Sequence, residues 1–256
     1  MALHFLVEEA GDAAVGEHVL LTGAEAHHAA AVRRVRVGED VSVGDGRGAW
    51  LAGVIESASP RAVSVRVTER QDVPPRTPRL VLVQALAKGD RDELAIQAAT
   101  ELGVDAIVPW QAARSVSRWI PASRAGHGED AAKEEKGRIR WAGIVREAAK
   151  QAHRAWVPEV EGVATTAQIA ARAAASVVFV LEPTAAVRLT DELRALPAAG
   201  TDLLLVVGPE GGIDASELAA FAQAGARAVR LGDGVLRTST AGPAALAAVE
   251  VCLGRW

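Results

Sequence analysis

The spacing of apolar residues over residues 1–72 predicts a small β-rich domain. Short segments rich in β-branched residues alternate with glycines and charged residues, and Gly44-Asp-Gly46 provides a turn between the first two segments. Segments of this length joined by turns are typical of hairpins in a small barrel or meander. The predicted strands are Val41–Val43, Ala49–Ile55 and Ala62–Val67.

A proline-rich segment, Asp72-Val-Pro-Pro-Arg-Thr-Pro78, follows the β-rich part. Proline has no backbone N–H to donate to a neighbouring strand and favours extended backbone. The segment is therefore predicted to be the linker between two domains.

Residues 76–256 show a different pattern, in which continuous apolar runs alternate with segments of helical spacing. Arg79–Ala85 is typical of a strand buried in a parallel sheet. Asp92–Leu102 has the apolar spacing of a helix and ends at Gly103. The other predicted strands are 106–109, 176–181, 202–207 and 228–231, and the other predicted helices are 138–154, 215–224 and 243–253.

This alternation predicts an α/β domain with a mainly parallel sheet. Taken alone, it favours an unknotted, doubly wound arrangement, because true knots are nearly absent from proteins. The polar segment Pro121–Gly137 is predicted to be a mobile loop. Ligands bind at the carboxyl ends of such strands, so the loops after Leu181, Val207 and Leu231 are the candidate binding loops.

Composition restricts the class of protein. The single cysteine, Cys252, excludes an internal disulfide and a cysteine-based zinc site. The first residues read neither as a signal peptide nor as a membrane span, and no run of about 18 apolar residues occurs. We therefore expect a cytoplasmic protein with no metal and no membrane partner.

Charge is distributed unevenly although the net charge is only −4. Residues 76–156 hold fourteen basic and ten acidic side chains, whereas the segments on either side are acidic. A basic stretch in an acidic protein can face the phosphates of a nucleic acid. A solvated helical face would give the same balance.

The first motif with candidate chemistry is Gly208-Pro-Glu-Gly-Gly212 after the apolar run 203–207. Glycines in such a turn allow positive φ and the close approach of a ligand. Asp214 and Glu217 have the spacing of a helix capping box. A tight strand-to-helix turn without a ligand would explain the same residues, and the proline argues against a dinucleotide-binding loop.

The second motif is Leu231-Gly-Asp-Gly-Val-Leu-Arg-Thr-Ser-Thr-Ala-Gly242. Its glycine-rich part exposes backbone amides and carbonyls that can hold an adenine edge, and Arg237 can meet a phosphate or a carboxylate. The alternative is a plain loop that ends in a helix cap at Ser239 or Thr240.

With these two motifs at this spacing, the sequence resembles the ribosomal RNA small-subunit methyltransferase E family of the SPOUT superfamily. The resemblance covers nearly the whole chain. Further matching residues are Lys88-Gly89, Ala99–Val104, Pro109, Arg114–Val116, Glu147–Gln151, Arg154 and Pro158, and His27-His28, Val32–Arg34 and Gly38-Glu39 match that family's PUA-like RNA-binding domain.

The resemblance implies a PUA-like β-barrel over residues 1–72 and a trefoil-knotted methyltransferase domain over residues 76–256. It also implies a homodimer in which the second subunit completes the active site. S-adenosylmethionine would lie in the knot, held by the three candidate loops. The implied cofactor-binding residues are Leu181, Glu182, Gly208, Pro209, Glu210, Gly211, Leu231, Gly232, Val235, Leu236, Thr238, Thr240 and Ala241.

The reaction implied by the resemblance is methylation of uridine N3 in small-subunit ribosomal RNA, free or in the assembled subunit. Such a reaction needs positioning of the base and help with its N3 proton. Arg237 and Arg146 are candidates for orienting the base or its phosphate, and Glu147 is a candidate general base. A surface ion pair and a solvated helix are the alternatives for Arg146 and Glu147.

RNA phosphates would be met by basic residues outside the cofactor loops. If the segment around Arg34 and Arg36 is a strand, these two side chains share one face; a solvated edge strand is the alternative. The candidate RNA-binding residues are Arg33, Arg34, Arg36, Lys88, Arg114 and Arg154.

Two other functional classes remain open from the sequence. A methyltransferase of the same superfamily acting on another RNA, such as transfer RNA, would have the same motifs. A noncatalytic RNA-binding protein of ribosome assembly would have lost cofactor binding, which the intact motifs argue against. A nucleotide-dependent Rossmann enzyme is disfavoured because its glycine fingerprint is missing.

Overall fold

The computed structural model describes residues 3–120, 127–196 and 200–256, with side chains from residue 132 onward in the helix that starts at residue 127. The chain divides into two compact units. The first contains residues 1–75 and 149–157, and the second contains residues 76–148 and 158–256. The apolar pattern of the sequence does not predict that residues 149–157 belong to the first unit.

The described part of the first unit contains a five-stranded sheet of order β1-β3-β4-β5-β2. β1 lies parallel to β3, and the other neighbours are antiparallel. Alternate side chains of the long strands are buried, as expected for a sheet with one face on a core. The strands are β1 (Leu3–Leu6), β2 (His18–Thr22), β3 (Asp40–Gly44), β4 (Ala49–Ala58) and β5 (Ala62–Asp72).

Between β2 and β3 the chain forms helix α1 (Gly23–His27) and a π-helical turn (His28–Val32). The interpretation of Arg34 and Arg36 as strand residues is wrong: both lie in the loop that follows this turn, and Arg34 has φ +57°. Val35 between them is buried and its amide donates to the Ala29 carbonyl at 3.1 Å. The apolar residue therefore anchors the loop, and the arginines stay exposed.

The second unit has a parallel sheet, which confirms the α/β prediction. Its described strands have the order β11-β9-β10-β6-β7-β8, and every neighbouring pair is parallel. β6, β7 and β10 are buried along their whole length, which explains their uninterrupted apolar sequences. The strands are β6 (Leu80–Ala85), β7 (Ala106–Trp110), β8 (Glu159–Val160), β9 (Val177–Leu181), β10 (Leu203–Val207) and β11 (Arg227–Val229).

Helices connect these strands and cover the sheet. They are α2 (Arg91–Glu101), α3 (His127–Gln151), α4 (Thr166–Ala171), α5 (Leu189–Arg194), α6 (Ala215–Gln223) and α7 (Thr238–Cys252). Across the described ranges, no helix is both long and apolar enough to cross a membrane.

The predicted loop Pro121–Gly137 is wrong from residue 127 onward, where α3 begins. Residues 121–126 lie outside the described part of the chain. Gly137 suggested a loop in the sequence, but it lies inside the helix, at a position where a Cβ would come to 2.5 Å from the Trp119 ring. This glycine is therefore required for packing and does not mark a helix end.

A buried histidine in the first unit titrates abnormally. The His4 ring stacks on Trp50 with centroids 4.3 Å apart, and its Nδ1 lies 2.9 Å from the Ser42 hydroxyl. Burial, followed by the positive charges of His153 and Lys150, lowers the pKa of His4 from 6.5 to about 4. The imidazole is therefore neutral in the folded protein at physiological pH.

We expect acid to destabilise the first unit through His4. Because the folded protein binds this proton less readily than the unfolded chain, His4 favours folding above about pH 6.5, and this contribution is lost as the pH falls toward 4. The free energy of unfolding should fall by about 3 kcal/mol more in the wild type than in His4→Phe over this range. Urea unfolding at several pH values measures the difference, and parallel pH profiles of the two proteins would contradict it.

Candidate active site

The carboxyl ends of β9, β10 and β11 lie at one edge of the parallel sheet, and the loops that follow them enclose a cavity of about 410 Å³. This volume falls in the range of small-molecule and cofactor sites. The cavity is lined by Arg91, Leu181, Glu182, Pro183, Val207, Gly208, Pro209, Glu210, Gly212, Ile213, Val229, Arg230, Leu231, Gly232, Gly234, Val235, Leu236, Arg237, Thr238 and Ala241.

The turn after β10 needs its glycines. A Cβ on Gly208 would lie 2.6 Å from the Ile213 side chain, and Gly212 has φ +73°, a conformation that favours glycine. The amide of Gly212 donates to the carbonyl of Pro209 at 2.9 Å and closes the turn. The cavity wall is therefore backbone at this point, with amides and carbonyls close to any bound ligand.

A buried hydroxyl joins this turn to the loop before α7. The Thr238 hydroxyl donates to the Gly208 carbonyl at 2.9 Å, and it accepts a hydrogen bond from Nε2 of Gln84 at 2.9 Å. Thr238 is 7% exposed, and Gln84 is fully buried in β6. One side chain thus connects two of the three loops that enclose the cavity.

The start of α7 differs from the sequence interpretation. The apolar pattern predicts this helix over residues 243–253, but it begins at Thr238. The alternative of a helix cap at Ser239 or Thr240 is wrong, because the N-cap is Arg237, without a side-chain cap. Pro243 lies inside the helix. The Thr238 hydroxyl that resembles a capping group is used in the tertiary hydrogen bonds to Gly208 and Gln84.

The predicted capping box of α6 is confirmed, and it also supports the turn. The Glu217 carboxylate accepts hydrogen bonds from the Asp214 amide at 3.2 Å, the Ala113 amide at 2.9 Å and the Thr166 hydroxyl at 2.7 Å. The indole N–H of Trp110 donates to the same Thr166 hydroxyl at 3.1 Å. Glu217 is 7% exposed, so these bonds form away from water and fix the helix that follows the turn.

Arg114 contacts the outer side of the same turn. Its guanidinium donates to the Gly211 carbonyl at 3.2 Å and to the Asp214 carboxylate at 3.0 Å. Hydrogen bonds from the backbone and hydroxyl of Ser216 lower the pKa of Asp214, and the charge of Arg114 adds to this effect. Asp214 is therefore ionised at neutral pH and holds the arginine at the turn.

Glu210 is held in its ionised form at the cavity wall. Its carboxylate accepts hydrogen bonds from the Lys88 amide at 3.1 Å and from Arg91 at 3.0 Å. Partial burial acts to raise the pKa of Glu210, but the hydrogen bonds from its own amide, from Lys88 and from Arg91 outweigh this effect and lower the pKa. The carboxylate is therefore paired with a cation that lines the same cavity.

The structure brings most of the predicted cofactor-binding residues together. Every one of them except Gly211 and Thr240 lines the cavity, as does the catalytic candidate Arg237. Gly212 lines it in place of Gly211, whose Cβ position faces Arg114 at 3.3 Å. Thr240 is exposed and is not among the lining residues.

The other candidates lie elsewhere. Arg146 and Glu147 are on α3 and do not line the cavity. Arg33, Arg34, Arg36 and Arg154 belong to the first unit. Lys88 and Arg114 contact the turn after β10 through the bonds to Glu210, Gly211 and Asp214.

Sequence reasoning missed Arg91 and Gln84. Arg91 follows β6, whose carboxyl end lies at the same sheet edge as the three binding loops. Its position shortly after Lys88-Gly89 could therefore have indicated a residue of the cavity. Gln84 is a lone amide in an apolar strand, which is the other signal available.

The lining residues suit a ligand with an apolar ring and charges of both signs. Leu181, Ile213, Leu231 and Leu236 provide apolar walls, and the glycine turns provide hydrogen-bonding backbone. Glu182 and Glu210 can face cationic groups, while Arg91 and Arg237 can face anionic ones. No group of three or more His, Cys, Asp or Glu side chains that could hold a metal ion occurs in the part of the chain that the structure describes.

Comparison with known proteins agrees with this architecture. The sequence family of the RNA methyltransferase domain matches residues 75–250, and the family of the RNA methyltransferase PUA domain matches residues 21–68. A ribosomal RNA small subunit methyltransferase E from Mycobacterium tuberculosis is 46% identical over all of this chain and 94% of its own length.

Solved structures show the same likeness. A ribosomal RNA small subunit methyltransferase E from Neisseria gonorrhoeae, bound to S-adenosyl methionine, is 25% identical with a TM-score of 0.82 over 98% of both chains. A putative methyltransferase from Legionella pneumophila, in complex with the same cofactor, is 26% identical with a TM-score of 0.82 and the same coverage.

The fold and the cavity therefore define an RNA methyltransferase that carries an N-terminal PUA-like domain, which confirms the expected order of a PUA-like domain followed by a methyltransferase domain. Within that class, the chain belongs to the ribosomal RNA small subunit methyltransferase E family.

We expect Glu217→Gln to weaken the turn that Glu217 supports. An amide NH₂ in place of one carboxylate oxygen faces the Asp214 amide, or the Ala113 amide and Thr166 hydroxyl, where only an acceptor fits. The free energy of unfolding should fall by about 1–3 kcal/mol. Denaturant unfolding measures it, with the exposed Glu69→Gln as a matched control. Equal stability of the two variants would show that the Glu217 bonds contribute nothing.

Proposed function

We propose that this protein transfers the methyl group of S-adenosylmethionine to N3 of a specific uridine in small-subunit ribosomal RNA. The observation that carries the proposal is the cavity formed by the three loops after β9, β10 and β11 in a chain of the small subunit methyltransferase E family. The two solved relatives are bound to S-adenosylmethionine.

The residues of the cavity fit this cofactor. Backbone groups of the turn 208–212 and of the loop 231–236 can hydrogen-bond the adenine edge, and Leu181 and Ile213 can pack against its ring. Glu182, Glu210, Arg91 and Arg237 supply the opposite charges that an amino-acid moiety needs. S-adenosylmethionine, when bound, supplies a methyl group already activated on a sulfonium.

The remaining task of the protein is to position the uridine and to manage its N3 proton. Arg237 is exposed and lines the cavity at the start of α7, where it can orient the base or a flanking phosphate. Its charge can also stabilise the negative charge that develops on the uracil carbonyls as N3 is deprotonated.

Arg146 and Glu147 enter this scheme only through a second subunit, since they do not line the cavity of their own chain. We propose that the protein is a homodimer with a trefoil-knotted methyltransferase domain, as the resemblance implies, and that it works in the cytoplasm. In the dimer, Arg146 would orient the substrate and Glu147 would take the N3 proton.

The exposed arginines of the first unit are proposed to hold the RNA by its phosphates. Arg33, Arg34 and Arg36 lie in one loop and project from the buried anchor Val35. Phosphate contacts of this kind position an RNA without reading its sequence. Lys88, Arg114 and Arg154 are proposed as further RNA-contacting residues.

The reaction is tested with purified protein, labelled S-adenosylmethionine and small ribosomal subunits from a strain that lacks the corresponding gene. The RNA is then digested and the labelled nucleoside identified. We expect label in N3-methyluridine at a single site. Label in another nucleoside would overturn the proposed position, and cofactor binding without label would redirect the search to other RNAs.

We expect Arg237→Ala to abolish most methyl transfer while the protein stays folded. Loss of a positioned donor that stabilises developing charge lowers kcat by about a hundredfold or more. The assay on small subunits measures the rate, and the thermal unfolding midpoint tests the fold. Arg194→Ala, which removes a largely exposed arginine paired with Asp191, is the control and should retain activity. Near-wild-type turnover by Arg237→Ala would refute the role.

A further inference from the structure

Gln84 is a polar residue in the otherwise apolar strand β6. All six residues of β6 are buried, and the other five are apolar. The Gln84 side chain is 0% exposed, and its Oε1 has no hydrogen-bond partner among the described residues. Burying an amide with an unpaired oxygen is unfavourable, so an apolar side chain would serve the sheet better. The amide is therefore best explained by what its NH₂ group does.

One N–H of Gln84 sets the direction of the Thr238 hydroxyl. Nε2 donates to Oγ1 of Thr238 at 2.9 Å, so the hydroxyl proton is left to donate to the Gly208 carbonyl, also at 2.9 Å. With this direction fixed, the first residue of α7 is tied to the first residue of the turn after β10. Both residues line the cavity.

The second N–H replaces a hydrogen bond that Pro209 cannot make. Leu203 donates to the Arg79 carbonyl, and the register pairs Val207 with Gln84. Continued by two residues, this ladder would place the nitrogen of residue 209 opposite the Ala85 carbonyl, but proline has no N–H. Nε2 of Gln84 donates to that carbonyl at 3.2 Å. Gln84 thus satisfies the end of β6 just where the chain of β10 turns away.

We infer that Gln84 is a positioning residue for the cofactor cavity, which acts through the Thr238 hydroxyl on the Gly208–Gly212 turn and on the loop before α7. The inference rests on the proposed function for the identity of the ligand, S-adenosylmethionine. It makes Gln84 a residue retained for the geometry of the site, since the amide does not touch the cavity itself.

The test uses the full chain with Gln84→Met, which keeps the size and flexibility of the side chain but removes the amide. In the ligand-free protein, hydrogen exchange of the amides in segments 208–214 and 231–238 should speed up while the strands stay protected. The Kd for S-adenosylmethionine, measured by calorimetry, should rise about five- to tenfold, the effect of losing one hydrogen bond. Gln223→Met, the same substitution on the exposed end of α6, is the control.

Variants of Thr238 show whether Gln84 acts through the hydroxyl. Thr238→Val removes the hydroxyl and should raise the Kd for S-adenosylmethionine. Gln84→Met should add little to the Kd of Thr238→Val, because the relay is already broken.

Unchanged exchange in both segments of Gln84→Met, or exchange raised uniformly with a lower melting temperature, would overturn the inference. Fully additive effects on the Kd would overturn the relay. Locally raised exchange in a protein whose wild type binds no S-adenosylmethionine would support the positioning role and refute the proposed function.

Discussion

The hydrogen bond from the Thr238 hydroxyl to the Gly208 carbonyl is the contact on which the candidate site depends. The two residues are thirty positions apart in sequence. Gly208 begins the turn after β10, and Thr238 is the first residue of α7. A parallel sheet brings the carboxyl ends of β9, β10 and β11 to one edge, but it does not fix the shape of the loops beyond them. The buried hydroxyl provides that constraint, since breaking the bond would leave both the hydroxyl and the carbonyl without this partner.

Other polar groups of the second unit hold the turn after β10 through hydrogen bonds. Glu217 holds the start of α6 and the loop after β7, and Arg114 holds the outer side of the turn through Gly211 and Asp214. Glu210 is bonded to the Lys88 amide and to Arg91 after β6. The turn is thus held by hydrogen bonds through Glu217, Arg114 and Glu210 before any ligand binds, which lowers the ordering cost of binding.

The sequence alone predicted the elements whose pattern is local. β6 and β10 were found within one residue because a buried parallel strand reads as a continuous apolar run, and the box of Asp214 and Glu217 was found because capping is set by nearby residues. The start of α7 was not predicted correctly. The Thr238 hydroxyl is engaged in tertiary hydrogen bonds, and Pro243 inside the helix suggested a later beginning. The first part of α3 was predicted to be a loop for a similar reason. Gly137 suggested a break in the helix, but this glycine is required because a Cβ would clash with the Trp119 ring.

The candidate site shows the same division between local and long-range causes. Motif residues lie in the cavity because glycine turns at strand ends must face the sheet edge, yet the motif could not distinguish Gly211, which faces Arg114, from Gly212, which lines the cavity. Gln84 belongs to no motif. Its role follows from the missing N–H of Pro209 and from its hydrogen bond to Thr238, 154 residues away. A lone amide in an otherwise apolar buried strand is therefore a signal for function that a single sequence does contain, because burying an amide costs free energy that an apolar side chain at the same position would not.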